Sequence, residues 1–572
     1  MRLAPSGLIT LFVASPVLVI AASLGADTGG LWAHLASTVL PEYLRNTALL
    51  ATGVAVTTVI IGVGTAWLVT LCRFPGRSLL RWALLLPLAI PTYLNAYAYT
   101  DLLQFSGPVQ TWLRTTFDWS RGDYWFPQIH SVSGAILVLA LGLYPYVYLA
   151  ARTAFLEQSV CALEVGRTLG LGPWHNFFRV ALPLARPSII AGLTLVLMET
   201  LAEFGAVQYF GVNTFATGIY RIHNQPFPHA LTAAAQLAAC LLVLVALLIG
   251  IESLARRSAR FHNTSTRYRD LPSWQLRGPR ATLATALCAL PVIWGFGIPV
   301  LLFMTRNLQR GDTLARAKFL EFGRNSLVLA AVASVLAVVL AILLAISERL
   351  HSTPLHRFLT RLSGIGYAIP GSVIAIGILV PLYWADHRLS AMIERLFGFS
   401  PGLLLGGSLL AIIYGYQTRF LAVSLNFVQA GLTRIKPSLD GAARTLGATP
   451  VRMIRSVHLP MLRGSLTAAG LLVFVDVIKE LPATLILCPP NFQTLAMRVY
   501  NLAKDERLAE ASTGALAIIV IGLLPVLLLS RMLDHSRPGA EGSRPAGAAE
   551  RKQAPTHESR LRPDRRRCVA RL

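Results

Sequence analysis

Charged residues are scarce in this chain of 572 residues: they make up 14% of it, whereas a soluble domain usually has about 25%. Lysine occurs five times and cysteine six times. None of the lysines follows a glycine, so the chain lacks the G-x-x-x-x-G-K-[ST] loop with which many proteins bind ATP. No C-x-x-C spacing is present, which argues against a zinc site and against a disulfide framework.

Hydrophobic residues make up 54% of the chain, and its mean hydropathy is +0.57. Apolar runs long enough to cross a bilayer recur, for example at residues 8–25, 188–210 and 327–346. We therefore predict an all-α integral membrane protein with about twelve transmembrane helices. The predicted spans are residues 7–25, 47–71, 80–104, 133–153, 186–210, 230–254, 282–304, 325–347, 362–384, 402–427, 464–488 and 510–532.

The first apolar run is interpreted as a retained helix, since at about 18 residues it exceeds the h-region of a cleaved signal peptide, which is the alternative. The net charge of +24 comes mostly from arginines in alternate connections between the spans. The positive-inside rule then places both termini in the cytoplasm. One predicted outer connection breaks the pattern, with five basic residues between Arg306 and Arg324. Charge spread over short loops does not indicate nucleic-acid binding.

One polar segment occurs twice. Residues 164–183 and 441–460 share R-T-L-G and L-P at one constant offset, and further matches upstream include Ile90-Pro91 with Ile369-Pro370. The pattern predicts two homologous halves of about six helices with the same orientation, a parallel repeat. The predicted segments are a first half at 1–254, an arginine-rich cytoplasmic linker at 255–281, a second half at 282–533 and a disordered basic tail at 534–572.

Each copy of the segment reads as two short helices joined at a glycine. Gly170 and Gly447 are expected to adopt the left-handed conformation that ends a helix. Pro183 and Pro460 are expected to mark the start of the next membrane helix, where a missing N–H costs little. A polar surface duplicated within an apolar chain indicates two contacts with a partner.

The spacing E-A-A-x-x-x-G-x(9)-I-x-L-P resembles the signature of permease subunits of binding-protein-dependent type I ABC importers. In that family the two loops, here 157–183 and 434–460, are coupling helices that dock on an ATPase. The resemblance implies a cytoplasmic ABC ATPase dimer that binds the ATP, no cofactor on this chain and no enzymatic activity. The implied coupling residues are Glu164, Gly166, Arg167, Gly170 and Pro183 in the first half and Ala442, Ala443, Arg444, Gly447 and Pro460 in the second.

The two copies depart from the signature in different ways. The first has Val165-Gly166 in place of Ala-Ala, and the second has Gly441 in place of the glutamate. Coupling at the two sites is therefore expected to be unequal.

Four carboxylates lie inside predicted spans. Glu199 and Glu203 are four residues apart, as are Asp476 and Glu480, and the repeat offset relates the two pairs. Such a spacing places both members on one face of a helix. Carboxylates in a bilayer are costly and usually face a cavity, a partner or a pathway. Two interpretations stay open: the four carboxylates line a cation pathway, or they pair structurally with neighbours such as Lys479; the sequence indicates no resident metal site.

The four carboxylates lie in residues 198–221 and 475–512. These two segments resemble the fused two-half permeases of bacterial ferric iron importers. This resemblance implies a bacterial inner-membrane protein that receives iron(III) from a periplasmic iron-binding protein. Thiamine, a polyamine or a phosphonate stays open as the cargo of the same fold. Two rivals come from other classes: a secondary transporter driven by an ion gradient, and a membrane scaffold without transport.

Overall fold

The computed structural model describes residues 4–157, 168, 172–226, 229–257, 274–310, 316–351, 353–433 and 435–535. Most of the predicted linker and nearly all of the predicted tail lie outside these ranges. The first half contains α1 Ala4–Ala22, α2 Leu31–Thr38, α3 Leu40–Leu71, α4 Arg77–Ala83, α5 Thr92–Leu103, α6 Pro108–Phe117, α7 Val132–Glu157, α8 Pro173–Asn176, α9 Leu182–Ala202, α10 Gly205–Tyr209, α11 Phe215–His223 and α12 Ala230–Arg257.

The second half repeats this order. It contains α13 Pro279–Val292, α14 Ile298–Arg310, α15 Arg316–Leu350, α16 Pro354–Ser363, α17 Gly371–Phe397, α18 Leu409–Thr433, α19 Pro437–Thr445, α20 Pro450–Met453, α21 Leu459–Lys479, α22 Pro482–Leu487, α23 Leu495–Lys504 and α24 Leu508–His535. Two short strands, β1 Cys72–Arg73 and β2 Trp274–Gln275, pair in parallel. They tie the chain that enters the second half to the end of α3.

In the described residues, nine helices are long and apolar enough to cross a membrane, or 11 spans if two bent helix pairs are counted. The predicted spans 80–104 and 362–384 correspond to these bent pairs, so each of them is a broken helix. The bends are 92° and 113°. Ile90 and Ile369 are extended at the bends, with ψ of 119° and 127°, because a residue that precedes proline is driven out of the helical region.

Helix α18 corresponds to the predicted span 402–427 and is less apolar than the others. Gln417 and Arg419 lie in its middle, and both are buried. The helix packs against α15, α17 and α21, so protein rather than lipid surrounds it. With α18 included, each half has six spans.

The two halves interlock rather than lie side by side. Helix α1 packs against α16 and α17 of the second half, and α24 packs against the short helical turn Leu86–Ala89 of the first half. The main hydrophobic core contains residues of both halves, among them Tyr93, Phe204, Ile374 and Val477. We call the end of the molecule that carries residues 435–460 the repeat end, and the other the opposite end.

Candidate functional site

A cavity of about 150 Å³ lies between the two halves. We call it the central cavity. Its wall contains four carboxylates against two cations, so negative formal charge is in excess. These residues are Glu199, Glu203, Asp476, Glu480, Arg419 and Lys479. The structure thus brings together all four carboxylates that the sequence predicted to line a pathway. Within the described ranges, no group of three or more His, Cys, Asp or Glu side chains is placed to hold a metal ion.

Glu203 and Glu480 follow the last residues of α9 and α21 and are extended, with ψ of 124° and 122°. The prediction that each pair lies on one face of a continuous helix is therefore wrong. The chain breaks there so that the next short helix can begin, and the glutamate accepts a hydrogen bond from its backbone. The bonds are Ala206 N–H to Glu203 Oε1 at 2.8 Å and Ala483 N–H to Glu480 Oε1 at 3.1 Å. A carboxylate at a helix N-terminus is stabilised by such donors.

The two glutamates have different partners. Arg419 Nη1 lies 3.0 Å from Glu480 Oε2 and donates to Oε1 at 3.1 Å, and both side chains are less than a tenth exposed. Glu203 instead accepts a hydrogen bond from the hydroxyl of Thr92. The sequence analysis missed Arg419, although an arginine in the middle of a predicted span was the available signal.

The repeat accounts for this difference. Gly142 corresponds to Arg419 at the offset of 277 residues that relates the two repeated segments, and Thr92 corresponds to Gly371 at the offset of 279 that relates Pro91 to Pro370. A Cβ atom on Gly371 would lie 2.5 Å from both Arg419 Nη1 and Glu480 Oε1, so only glycine leaves room for the ion pair. The first half therefore has Thr92 together with Gly142, and the second half has Gly371 together with Arg419.

Lys479 reaches across the boundary between the halves. Its ammonium donates a hydrogen bond to the carbonyl of Leu88 at 2.9 Å. The alternative in which Lys479 pairs with the neighbouring Glu480 is not what the structure shows. Ala202 occupies the equivalent position in the first half, so both cations of the cavity come from the second half.

The second copy of the repeated segment forms two short helices, α19 and α20, as predicted. Gly447 has a φ of 75°, and its N–H donates to the carbonyl of Arg444 at 3.0 Å. The side chain of Thr449 then caps α20 by accepting from Arg452 N–H. Ala442 and Arg444 are exposed, whereas Ala443 is buried.

Asp440 anchors α19 to two membrane helices. Arg349 Nε of α15 donates to Asp440 Oδ2 at 2.7 Å, and His458 Nε2, just before α21, lies 2.9 Å from Oδ1. The Arg349 guanidinium also donates to the carbonyls of Leu432 and Ile435, at 2.6 and 2.9 Å. Burial opposes ionisation, but the bonds from Arg349 and His458 outweigh it and hold the pKa of Asp440 below its usual range. The sequence analysis missed this anchor.

In the first copy, Glu164, Gly166, Arg167 and Gly170 lie outside the described residues. Pro183 and Pro460 are the second residues of α9 and α21, but the membrane-spanning helical segments already begin at Trp174 and Pro450, so these prolines do not mark the start of the span as predicted. A π-helical turn precedes the leucine-proline pair in both copies, at Phe177–Ala181 and Ile454–His458. Proline lacks the N–H that an α-helical bond requires, and a π-turn is one way in which a helix adjusts to that loss.

The fold and the cavity define a helical membrane permease built of two fused homologous halves. The chain belongs to the family described as binding-protein-dependent transport system inner membrane component, whose profile matches residues 3–260 and 337–541. The predicted family is thereby confirmed, as is the all-α fold of two repeats. The boundaries of the four predicted segments stay a prediction.

The names of proteins similar to this chain mention different cargoes. An Fe(3+)-transport system permease protein of Haemophilus influenzae is 25% identical over 86% of this chain and 90% of its own length. A molybdenum transport system permease protein of Escherichia coli K12 is 33% identical over 34% of this chain and 85% of its own length. A putative 2-aminoethylphosphonate transport system permease protein of Salmonella choleraesuis is 24% identical over 46% and 97%, respectively.

Proposed function

We propose that this chain is the permease subunit of an ABC importer that moves iron(III) into the bacterial cytoplasm. The excess of carboxylates in the central cavity is the observation that supports a cationic cargo. Among the described residues that line the cavity, the first half contributes no cation beside Glu199 and Glu203, and Arg419 and Lys479 offset only part of the charge. Molybdate and phosphonates are anions, which such a wall would repel.

The size of the cavity supports an ion over an organic molecule. Pockets for drug-sized ligands have volumes of about 300–1,000 Å³, whereas the central cavity has about 150 Å³. This argues against thiamine and polyamines. The similarity to an Fe(3+) permease over most of both chains favours iron among the cations.

The proposal includes the orientation and the partners. The repeat end and both termini face the cytoplasm, where an ABC ATPase dimer binds the ATP and contacts the two coupling loops. A periplasmic iron-binding protein delivers the cargo to the opposite end, and this chain itself binds no cofactor. Closure of the ATPase dimer moves the coupling helices, and the two halves then expose the central cavity to each side in turn. Family membership argues against the secondary transporter and the scaffold.

Uptake of radioactive iron into proteoliposomes that contain the permease, its ATPase and its binding protein tests the cargo. Glu203→Gln keeps a polar side chain but removes charge from the cavity, so we expect uptake to fall by about tenfold or more. Glu394→Gln is the matched control, because Glu394 is exposed near the end of α17. Uptake of thiamine without uptake of iron would refute the proposal.

Gly447 tests the coupling role. A β-branched residue at a φ of 75° is strained by roughly 1–2 kcal/mol, so Gly447→Val is expected to distort the turn and lower uptake per ATP hydrolysed by about tenfold. Gly441→Ala is the control, since that glycine lies in α19 and a Cβ there meets no atom within 4 Å. An unchanged ratio of uptake to hydrolysis in Gly447→Val would contradict the role.

A further inference from the structure

A second cavity, of about 300 Å³, lies at the opposite end and also between the halves. We call it the outer cavity. It is larger than the central cavity, and the sequence analysis did not predict it. Its wall is rich in oxygen atoms from both halves, with Asp101, Gln104, Gln208 and Tyr209 from the first and Tyr500 and Glu506 from the second.

Three tyrosines connect the two cavities. Tyr209 of the outer cavity contacts Tyr97 with ring centroids 4.6 Å apart, and Tyr97 contacts Tyr93 of the central cavity at 5.7 Å. Tyr97 is fully buried and Tyr93 nearly so. Neither hydroxyl has a hydrogen-bond partner among the residues that the structure describes. A buried polar group without a partner is costly, so either hydroxyl would gain from contact with a polar species.

The outer cavity carries fewer carboxylates than the central one, with Asp101 and Glu506 against Lys504 in the wall and Arg306 paired with Asp101. Asp101 accepts from Arg306 through Oδ2, at 2.9 Å from Nε and 2.7 Å from Nη2. Its carboxylate and that of Glu506 both act electrostatically on the phenol of Tyr209. Lys504 and His130 also line the cavity, and the ammonium of Lys504 opposes a cation. An arginine thus accompanies a carboxylate in both cavities, as Arg419 does for Glu480.

We infer that the outer cavity is a loading site that takes a hydrated trivalent cation on the carboxylates of Asp101 and Glu506 before it reaches the central cavity. The identity of the cargo rests on the proposed function. Hard cations bind carboxylate oxygens, and the amide oxygens of Gln104 and Gln208 accept hydrogen bonds from the water shell. The cation replaces Arg306 as the partner of Asp101, and the guanidinium turns to solvent. From there the route passes the hydroxyls of Tyr97 and Tyr93.

Terbium(III) luminescence tests the site on the full chain in nanodiscs without ATPase or binding protein. Tb³⁺ is a hard trivalent cation, and a nearby tyrosine such as Tyr209 sensitises its emission. Asp101→Asn and Glu506→Gln are each expected to weaken Tb³⁺ binding by about tenfold. Arg306→Ala removes the competing cation and is expected to tighten binding several-fold. Since this variant acts in the opposite direction, misfolding does not reproduce it.

One control separates this site from other carboxylates. Glu394→Gln removes an exposed carboxylate that lines neither cavity, so it is expected to leave the Tb³⁺ affinity unchanged. Affinity that survives both Asp101→Asn and Glu506→Gln, or that does not rise in Arg306→Ala, would overturn the inference. Binding that depends on these residues upholds the loading site even if the vesicles take up no iron, in which case the proposed cargo alone is wrong.

Discussion

Arg419→Ala is expected to lower the stability of the folded permease severely and to abolish uptake. The variant leaves Glu480 as a carboxylate that is 5% exposed and has lost its only ion-pair partner in the described structure. Removing one member of a buried ion pair costs about 3–5 kcal/mol, a large part of the stability of a typical domain. Thermal unfolding of the purified protein in nanodiscs, followed by tryptophan fluorescence, measures the loss.

Two companion variants separate charge from shape. Arg419→Ala combined with Glu480→Gln removes the uncompensated charge and is expected to recover most of the unfolding temperature. Arg419→Gly combined with Gly371→Thr copies the first half, where Gly142 and Thr92 stand at these positions, and is expected to fold while removing one positive charge from the cavity. If Arg419→Ala alone melts like the unchanged protein, the ion pair does not stabilise the fold.

The sequence predicted the features of the site that depend on local pattern. The duplicated segment, the glycine turn at Gly447 and the four carboxylates were all visible as short motifs, and the repeat offset paired them correctly. Their meeting in one cavity follows from two homologous halves that face each other. The helix ends at Ala202 and Lys479 were missed because the apolar run continues past them. Only Pro482, which begins the next short helix, signalled the break in the second half.

Contacts between distant segments could not be predicted in this way. Arg419 and Glu480 belong to different helices, and so do Arg349 and Asp440. A repeat offset compares equivalent positions, and in each of these pairs at least one member has no charged equivalent in the other half. The asymmetry of the permease therefore lies in the residues that the repeat comparison overlooks. Both cations described in the central cavity, Arg419 and Lys479, lie in the second half. The coupling loop of the same half is the one that Asp440 anchors.

That anchor leads to the second large effect, which rests on the proposed coupling role. Arg349→Ala removes an ion pair to Asp440 and two hydrogen bonds to backbone carbonyls at the end of α18 and just beyond it. Without them α19 is no longer held to α15, so movement of the ATPase is not transmitted to the cavity. We expect ATP hydrolysis by the complex to persist and iron uptake per ATP to fall by about tenfold or more.

Controls for Arg349 follow from geometry and from pH. Arg349→Lys provides a point charge but not the planar fork, so it should rescue only partly, and Arg357→Ala at an exposed position of the repeat end should change nothing.

Because the pKa of Asp440 is lowered in the fold, its stabilising contribution is complete above the ordinary carboxyl pKa of about 3.9. That contribution is lost only as the pH falls through the lower native value. Acidification from pH 7.5 to about 5.5 should therefore not mimic the variant, and uncoupling of the unchanged protein over that range would contradict the role assigned to Asp440.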